Sequence, residues 1–136
     1  MYKTLTNWMP QILSVVRIMA SLLFIEHGTQ KLLGFPAPGP RGVAELFSLV
    51  GFEGILEIVG GALLAVGYQT RVVAFLLSGE MAVAYFWVHA PRSFYPILNN
   101  GDAAILFCFI FLLFVFSGGG AWSVDRILGQ DPARSE

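Results

Sequence analysis

Apolar positions along the chain gather into four stretches, separated by short segments that carry proline, glycine and polar residues. A hydrocarbon core of roughly 30 Å takes about 18–24 helical residues at 1.5 Å each. The pattern therefore predicts four spans, at about 10–33, 47–67, 71–89 and 102–118. Trp8 suits an interfacial anchor and Pro10 a helix start, with Gly34 and Pro36 as the stop of span 1. The loop 34–42 cannot lie exposed in lipid, because its backbone groups would find no partners there. An interfacial turn over 43–50 is expected to lead into span 2. The very short segment 68–71 makes spans 2 and 3 an antiparallel hairpin. Pro91, Pro96 and the run Asn99-Asn100-Gly101 mark the next loop. Asp102 is placed as the N-cap of span 4, whose apolar part is shorter than the others. Gly118-Gly119-Gly120 closes it. The tail from Asp125 to Glu136 reads as short, exposed helix or coil, starting from about residue 123. The expected fold is all-α, an integral membrane four-helix bundle in a single domain.

Composition agrees. The chain is 56% hydrophobic and 12% charged, with mean hydropathy +0.70, too few polar residues to cover a soluble domain of 136 residues. A net charge of −1 supplies no basic surface for nucleic acid. The lone Cys108 excludes an intramolecular disulfide and reads as a small buried hydrophobe. Arg17 interrupts the first apolar run and no cleavage site follows it, so span 1 is expected to be retained rather than removed as a signal peptide. Both termini fall on one side. Lys3, Arg71, Arg126 and Arg134 mark that side, and Lys31, Arg41 and Arg92 the other, which favours cytoplasmic termini.

Charges inside the spans change the picture. Ionisable residues in a bilayer are costly, so they pair, face the interior and are functional candidates. Glu57 and Glu80 fall near the middle of spans 2 and 3, and Arg17 lies roughly 6 Å from the centre of span 1. Arg17 is the expected partner of one glutamate. Two adjacent carboxylates cannot readily both ionise, so the other is expected to hold its proton. A structural ion pair and a proton-handling or substrate-binding site both fit. Small residues at Gly61 and Ala65, and at Ala74, Ser78 and Ala82, allow close helix packing. Glu80 lies about 200° around span 3 from Ser78, so span 3 needs protein on both faces.

A second polar group gathers toward the opposite end. Glu26, His27, Gln30 and Lys31 end span 1, with Glu26 and Gln30 on one face and His27 and Lys31 on the next. Glu53 begins span 2, His89 ends span 3, and Asn99, Asn100 and Asp102 begin span 4. These side chains either reach to the headgroups or line a pocket. Neither histidine has the spacing of a defined metal site, and no metal is assigned. A polar pocket beside Tyr85, Phe86, Trp87, Phe94 and Tyr95 suits an amphipathic ligand such as a quinone. No cofactor motif is present.

The run Glu26-His-Gly-Thr-Gln-Lys-Leu-Leu-Gly34, preceded by Arg17 and followed by a Phe-Pro loop, resembles the DoxX family of small bacterial membrane proteins. Glu53-Gly-Ile-Leu-Glu-Ile-Val-Gly-Gly61, the turn at Thr70-Arg71, Glu80-Met81 and Asn100-Gly-Asp102 fit the same family over about residues 12–118. The resemblance implies a four-helix bundle in the bacterial inner membrane and a link to membrane oxidoreductase assemblies, one of them a thiosulfate:quinone oxidoreductase. By position it points to Arg17, Glu26, His27, Lys31, Glu57 and Glu80.

Three functions remain open. The first is a subunit of a quinone-linked oxidoreductase. It would dock a soluble redox protein or another subunit that supplies electrons, since the chain carries no redox motif of its own. The second is a non-enzymatic scaffold or assembly factor. The third is a small proton-coupled transporter, which would require a homo-oligomer.

Overall fold

The computed structural model describes residues 2–130. Arg134 and the side chain of Lys3, two of the charges used to orient the chain, lie outside the described residues. Among the described residues seven α-helices run in the order α1 (Tyr2–Thr6), α2 (Met9–Leu33), α3 (Leu49–Val66), α4 (Thr70–Ala84), α5 (Pro96–Asn99), α6 (Asp102–Ser117) and α7 (Val124–Ile127). Among the described residues there is no strand. Met9–Leu33, Leu49–Val66 and Thr70–Arg92 are long and apolar enough to cross a membrane, and the apolar α6 is shorter at 16 residues. Their outward faces carry exposed Met19 and Leu22 on α2, Phe75 and Leu76 on α4, and Phe109 and Phe116 on α6. In a bilayer these are the side chains that meet lipid.

Local chemistry sets the boundaries. Pro10 starts α2, where its missing N–H is not needed, and Gly34 ends it in the left-handed region at φ 64°. Ser48 caps α3 by accepting a hydrogen bond from the Gly51 N–H. The N-cap of α6 is Gly101, not Asp102, which is the first helical residue and makes no cap bond. The reason lies one turn earlier. The buried Asn99 accepts from the Gly101 N–H through Oδ1 and so fixes the chain before Asp102 is reached. The third span is continuous but not uniform. After Ala84 it widens into a π-helical turn, Tyr85–His89, and then tightens into a 3₁₀ turn, Ala90–Arg92.

The bundle is built from two closely packed pairs, α2 with α3 and α4 with α6. Gly28 lets the first pair approach backbone to backbone, since a Cβ there would lie 2.7 Å from the Gly54 carbonyl oxygen. In the second pair Ser78 donates to the Cys108 carbonyl at 2.8 Å. Phe24 joins the pairs. Its ring is buried edge-on against Phe111 at 4.9 Å and tilted against Phe107 at 5.3 Å.

Candidate functional site

Two polar centres occupy opposite ends of α2. At its C-terminal end, Lys31 Nζ lies 2.8 Å from Glu57 Oε1 and 3.3 Å from Glu53 Oε2. Antiparallel packing brings the end of α2 beside the first turns of α3. There, positions 53 and 57 share a face at i, i+4 spacing. The Glu57 side chain is 3% exposed, against 27% for Lys31 and 25% for Glu53. Lys31, not Arg17, is therefore the partner of Glu57. The pairing leaves capacity unused: Glu57 Oε2 is buried with no hydrogen-bond partner, and so are both carboxylate oxygens of Glu80. Glu80 stands within electrostatic reach of Glu57, Lys31 and Glu53.

Beside this cluster lies a cavity of about 890 Å³ between the two helix pairs. Phe24, Met81, Ala84, Ala104 and Phe107 give it apolar walls, and His27, Gln30, Lys31, Glu53, Glu57 and His89 give it polar ones. The loop 39–45, residues 48–50, Val88, Arg92, Asn100 and Ala103 complete the lining. This volume and this mixture of apolar wall and few polar groups are those of a small-molecule site. Both histidines are held by Nδ1, His27 against the Leu23 carbonyl at 2.8 Å and His89 against the Asn99 carbonyl at 2.9 Å. A carbonyl only accepts, so Nδ1 of each ring carries a proton and donates it. The π-helical turn that carries His89 is a device often found at functional sites.

Arg17 belongs to the other centre. It is fully buried, and every guanidinium nitrogen donates to a main-chain carbonyl. Nε bonds Gly119 at 2.8 Å, Nη2 bonds Trp122 at 2.6 Å, and Nη1 bonds Leu64 and Ala65. The physical reason is helix length. Met9–Leu33 has 25 residues and Leu49–Val66 has 18, so α3 ends level with Arg17. The last carbonyls of α3 have no intrahelical donor, and the guanidinium supplies one at the negative end of the helix dipole. The expected Arg17–glutamate pair does not form.

The segment after α6 is part of the same centre. Asp125 is buried, and its carboxylate accepts from the N–H groups of Gln69 and Thr70 at 2.7 and 2.8 Å. It thus caps the amino end of α4, which corrects the expectation of an exposed tail at this position. Ser14 accepts from the Trp122 N–H at 2.9 Å and ties the segment to α2.

A model of the DoxX family matches residues 12–90. The chain belongs to the DoxX family. It is similar to an uncharacterized protein of Haemophilus influenzae, with 44% identity over 90% of this chain and 94% of the relative. It is also similar to an uncharacterized membrane protein of Mycobacterium tuberculosis, at 30% identity over 89% of this chain and 83% of the relative. A third relative is the inner membrane protein YqjF of Escherichia coli, at 29% identity over 85% of this chain and 91% of the relative. No solved structure matches. This DoxX-family chain is an integral membrane protein with several apolar helices.

The DoxX match contains Arg17 and every charged residue of the Lys31 cluster. Of the sequence candidates, His27, Gln30, Lys31, Glu53, Glu57 and His89 meet at the cavity. Glu80 stands behind them, and Arg17 lies apart. Glu26 and Asp102 are exposed and outside the cavity lining. Asn100 lines the cavity, whereas Asn99 is structural, donating to the Ser93 carbonyl and bracing the turn before α6. Sequence reasoning did not place Phe24, Phe107, Arg92 or Glu45 at the cavity, nor Asp125 in its cap. Gly118-Gly119-Gly120 ahead of a serine three residues before Arg126 was the available signal, since Ser123 accepts from the Arg126 N–H as an N-cap. Among the described residues no group of three or more His, Cys, Asp or Glu side chains is placed to hold a metal ion.

Proposed function

We propose that this protein is a ligand-binding membrane subunit of a quinone-linked oxidoreductase assembly in the bacterial inner membrane. The observation that carries the reading is the cavity of about 890 Å³ that joins aromatic walls to an incompletely satisfied ion cluster. Phe24 and Phe107 would hold the ring and tail of an amphipathic quinone, and the Lys31–Glu57 pair with His27 and His89 would take its polar head. Glu57 and Glu80 would pass protons to and from that head, because they are the buried carboxylates with unpartnered oxygens. Electrons would come from a partner docked against the loops that frame the mouth, 34–48 and 93–101. With both termini cytoplasmic, the mouth would open away from the cytoplasm.

The test is mass spectrometry of organic extracts from protein purified gently out of its own membranes. The proposal predicts a stoichiometric isoprenoid quinone, lost in folded Lys31→Met or Glu57→Gln protein. Extracts with no such molecule, alongside a stoichiometric co-purifying protein, would replace the reading with that of a scaffold.

A further inference from the structure

We infer that the ligand reaches the cavity from within the bilayer, through the seam between α2 and α6, and leaves its tail lying in that seam. The inference rests on the proposed function and deepens it: the substrate is a lipid-borne, tail-bearing quinone, and the side chains of one seam select it. The four long helices meet along four seams, and three of these are closed. α2 and α3 touch backbone to backbone at Gly28. The Ser78–Cys108 hydrogen bond ties α4 to α6. The connection 67–69 joins α3 to α4, and Leu77 seats against Gly60, where a Cβ would lie 2.7 Å from its Cδ2. α2 sends its hydrogen bonds to residues 119–122, beyond α6. It meets α6 itself through rings, Phe24 with Phe107 and Phe111, and His27 edge-on to Phe107 at 5.7 Å.

Burial around the cavity has the same asymmetry. Glu57 on α3 and Met81 on α4 line it and are buried, so protein covers them on the lipid side. At the same depth, within one helical turn, His27 on α2 is exposed and Phe107 on α6 is half-buried, and both line the cavity. Gln30 and Ala103, a turn nearer the mouth, are exposed lining residues as well. Leu23 and Leu106, a turn deeper than His27 and Ala103, are exposed outside the lining and face lipid. Between α2 and α6 the wall is therefore one side chain thick. The mouth is a poor exit for a tail. Arg41, Glu45 and Arg92 stand exposed in its lining, and a tail led past them would give up the transfer energy of every methylene it shows to water. The seam sets the same tail against Leu23, Leu106 and the lipid beyond. It also leaves the mouth free for the electron-supplying partner.

The experiment irradiates the full chain, in phosphatidylcholine nanodiscs, with a ubiquinone analogue whose decyl tail ends in a diazirine, and maps the labelled peptides. Label that excess decyl-ubiquinone removes should fall on segments 19–26 and 106–113. Competable label elsewhere, whether between α3 and α4 or on the loop 39–48, overturns this inference and leaves the proposed function standing. Absence of competable label from every segment overturns the proposed function itself, and the inference with it. Two variants add a second reading. Ala103→Trp narrows the seam and should weaken decyl-ubiquinone binding about tenfold. Val88→Trp puts the same bulk at the edge of the cavity on α4, and should leave the affinity within about twofold. Equal affinities of the two variants also overturn the inference. Should Ala103→Trp fail to fold, the labelling of the unaltered protein decides alone.

Discussion

Arg17 and Lys31 stand on one helix, about 21 Å apart along its axis, and each is a cation inside an apolar bundle. Arg17 is completely buried and bonds four main-chain carbonyls that cannot move without unwinding the fold. Lys31 is partly open to a cavity and bonds two carboxylates, one of which keeps an unused oxygen. Buried polar groups are almost always satisfied, so the comparison separates two roles. A charge whose every donor is taken by fixed main chain is committed to structure. A charge in an under-satisfied cluster beside a cavity retains capacity for a ligand. The residue types alone do not distinguish the two; their partners do.

The sharpest way to break this contrast is at Arg17. Arg17→Met removes the guanidinium donor from the carbonyls of Ala65, Gly119 and Trp122 and leaves Leu64 only the Gly67 N–H, and should cost about 3–5 kcal/mol. Thermal unfolding in mild detergent should show it as a large fall in Tm. Arg17→Lys should not restore stability, because an ammonium lacks the planar fork that reaches α3 and residues 119–122 together. A retained Tm in either variant would remove the structural assignment. Next comes Gly67, at φ 72°, where an added Cβ would lie 2.5 Å from Ser123 Cβ. Gly67→Ala should cost about 2–3 kcal/mol in the same assay. Asp125→Ala should follow at about 1–2 kcal/mol, from loss of the cap on α4.

At the other end the order of effects reverses. Glu80→Gln keeps the shape of a side chain whose two oxygens are buried without partners, so stability should change by less than about 1 kcal/mol, upward if at all. Glu57→Gln should likewise leave the fold intact while quinone occupancy, read by mass spectrometry, falls severalfold. A Glu57→Gln protein as damaged as Arg17→Met would mean that both ends are structural.

Much of this contrast could be read before the structure, and the missing part has a physical cause. The all-helical apolar bundle, the stop at Gly34, the end of the second helix near residue 67, and the gathering of His27, Lys31, Glu53 and His89 at one end all follow from local pattern and antiparallel order. The pairing did not follow. Aligning the spans at their middles put Arg17 beside the glutamates, whereas the 18-residue α3 ends level with Arg17 on the 25-residue α2. Orphan carbonyls at a helix end carry no side-chain signature, so nothing in the sequence marks Leu64 and Ala65 as partners. Asp125 was hidden for a related reason. Its targets are main-chain N–H groups of Gln69 and Thr70, more than fifty residues away. The cavity is a property of how two helix pairs meet, and Phe24 and Phe107 look like any other apolar residue until that junction exists.

The most direct test of the central claim is photoaffinity labelling of the intact protein in membranes with an azido-quinone, followed by peptide mapping. The account predicts label concentrated on the segments 24–31, 53–57 and 103–107, abolished by excess unlabelled quinone and lost in Lys31→Met protein. Label spread evenly over the lipid-facing residues, or gathered near Arg17 and residues 119–122, would contradict it.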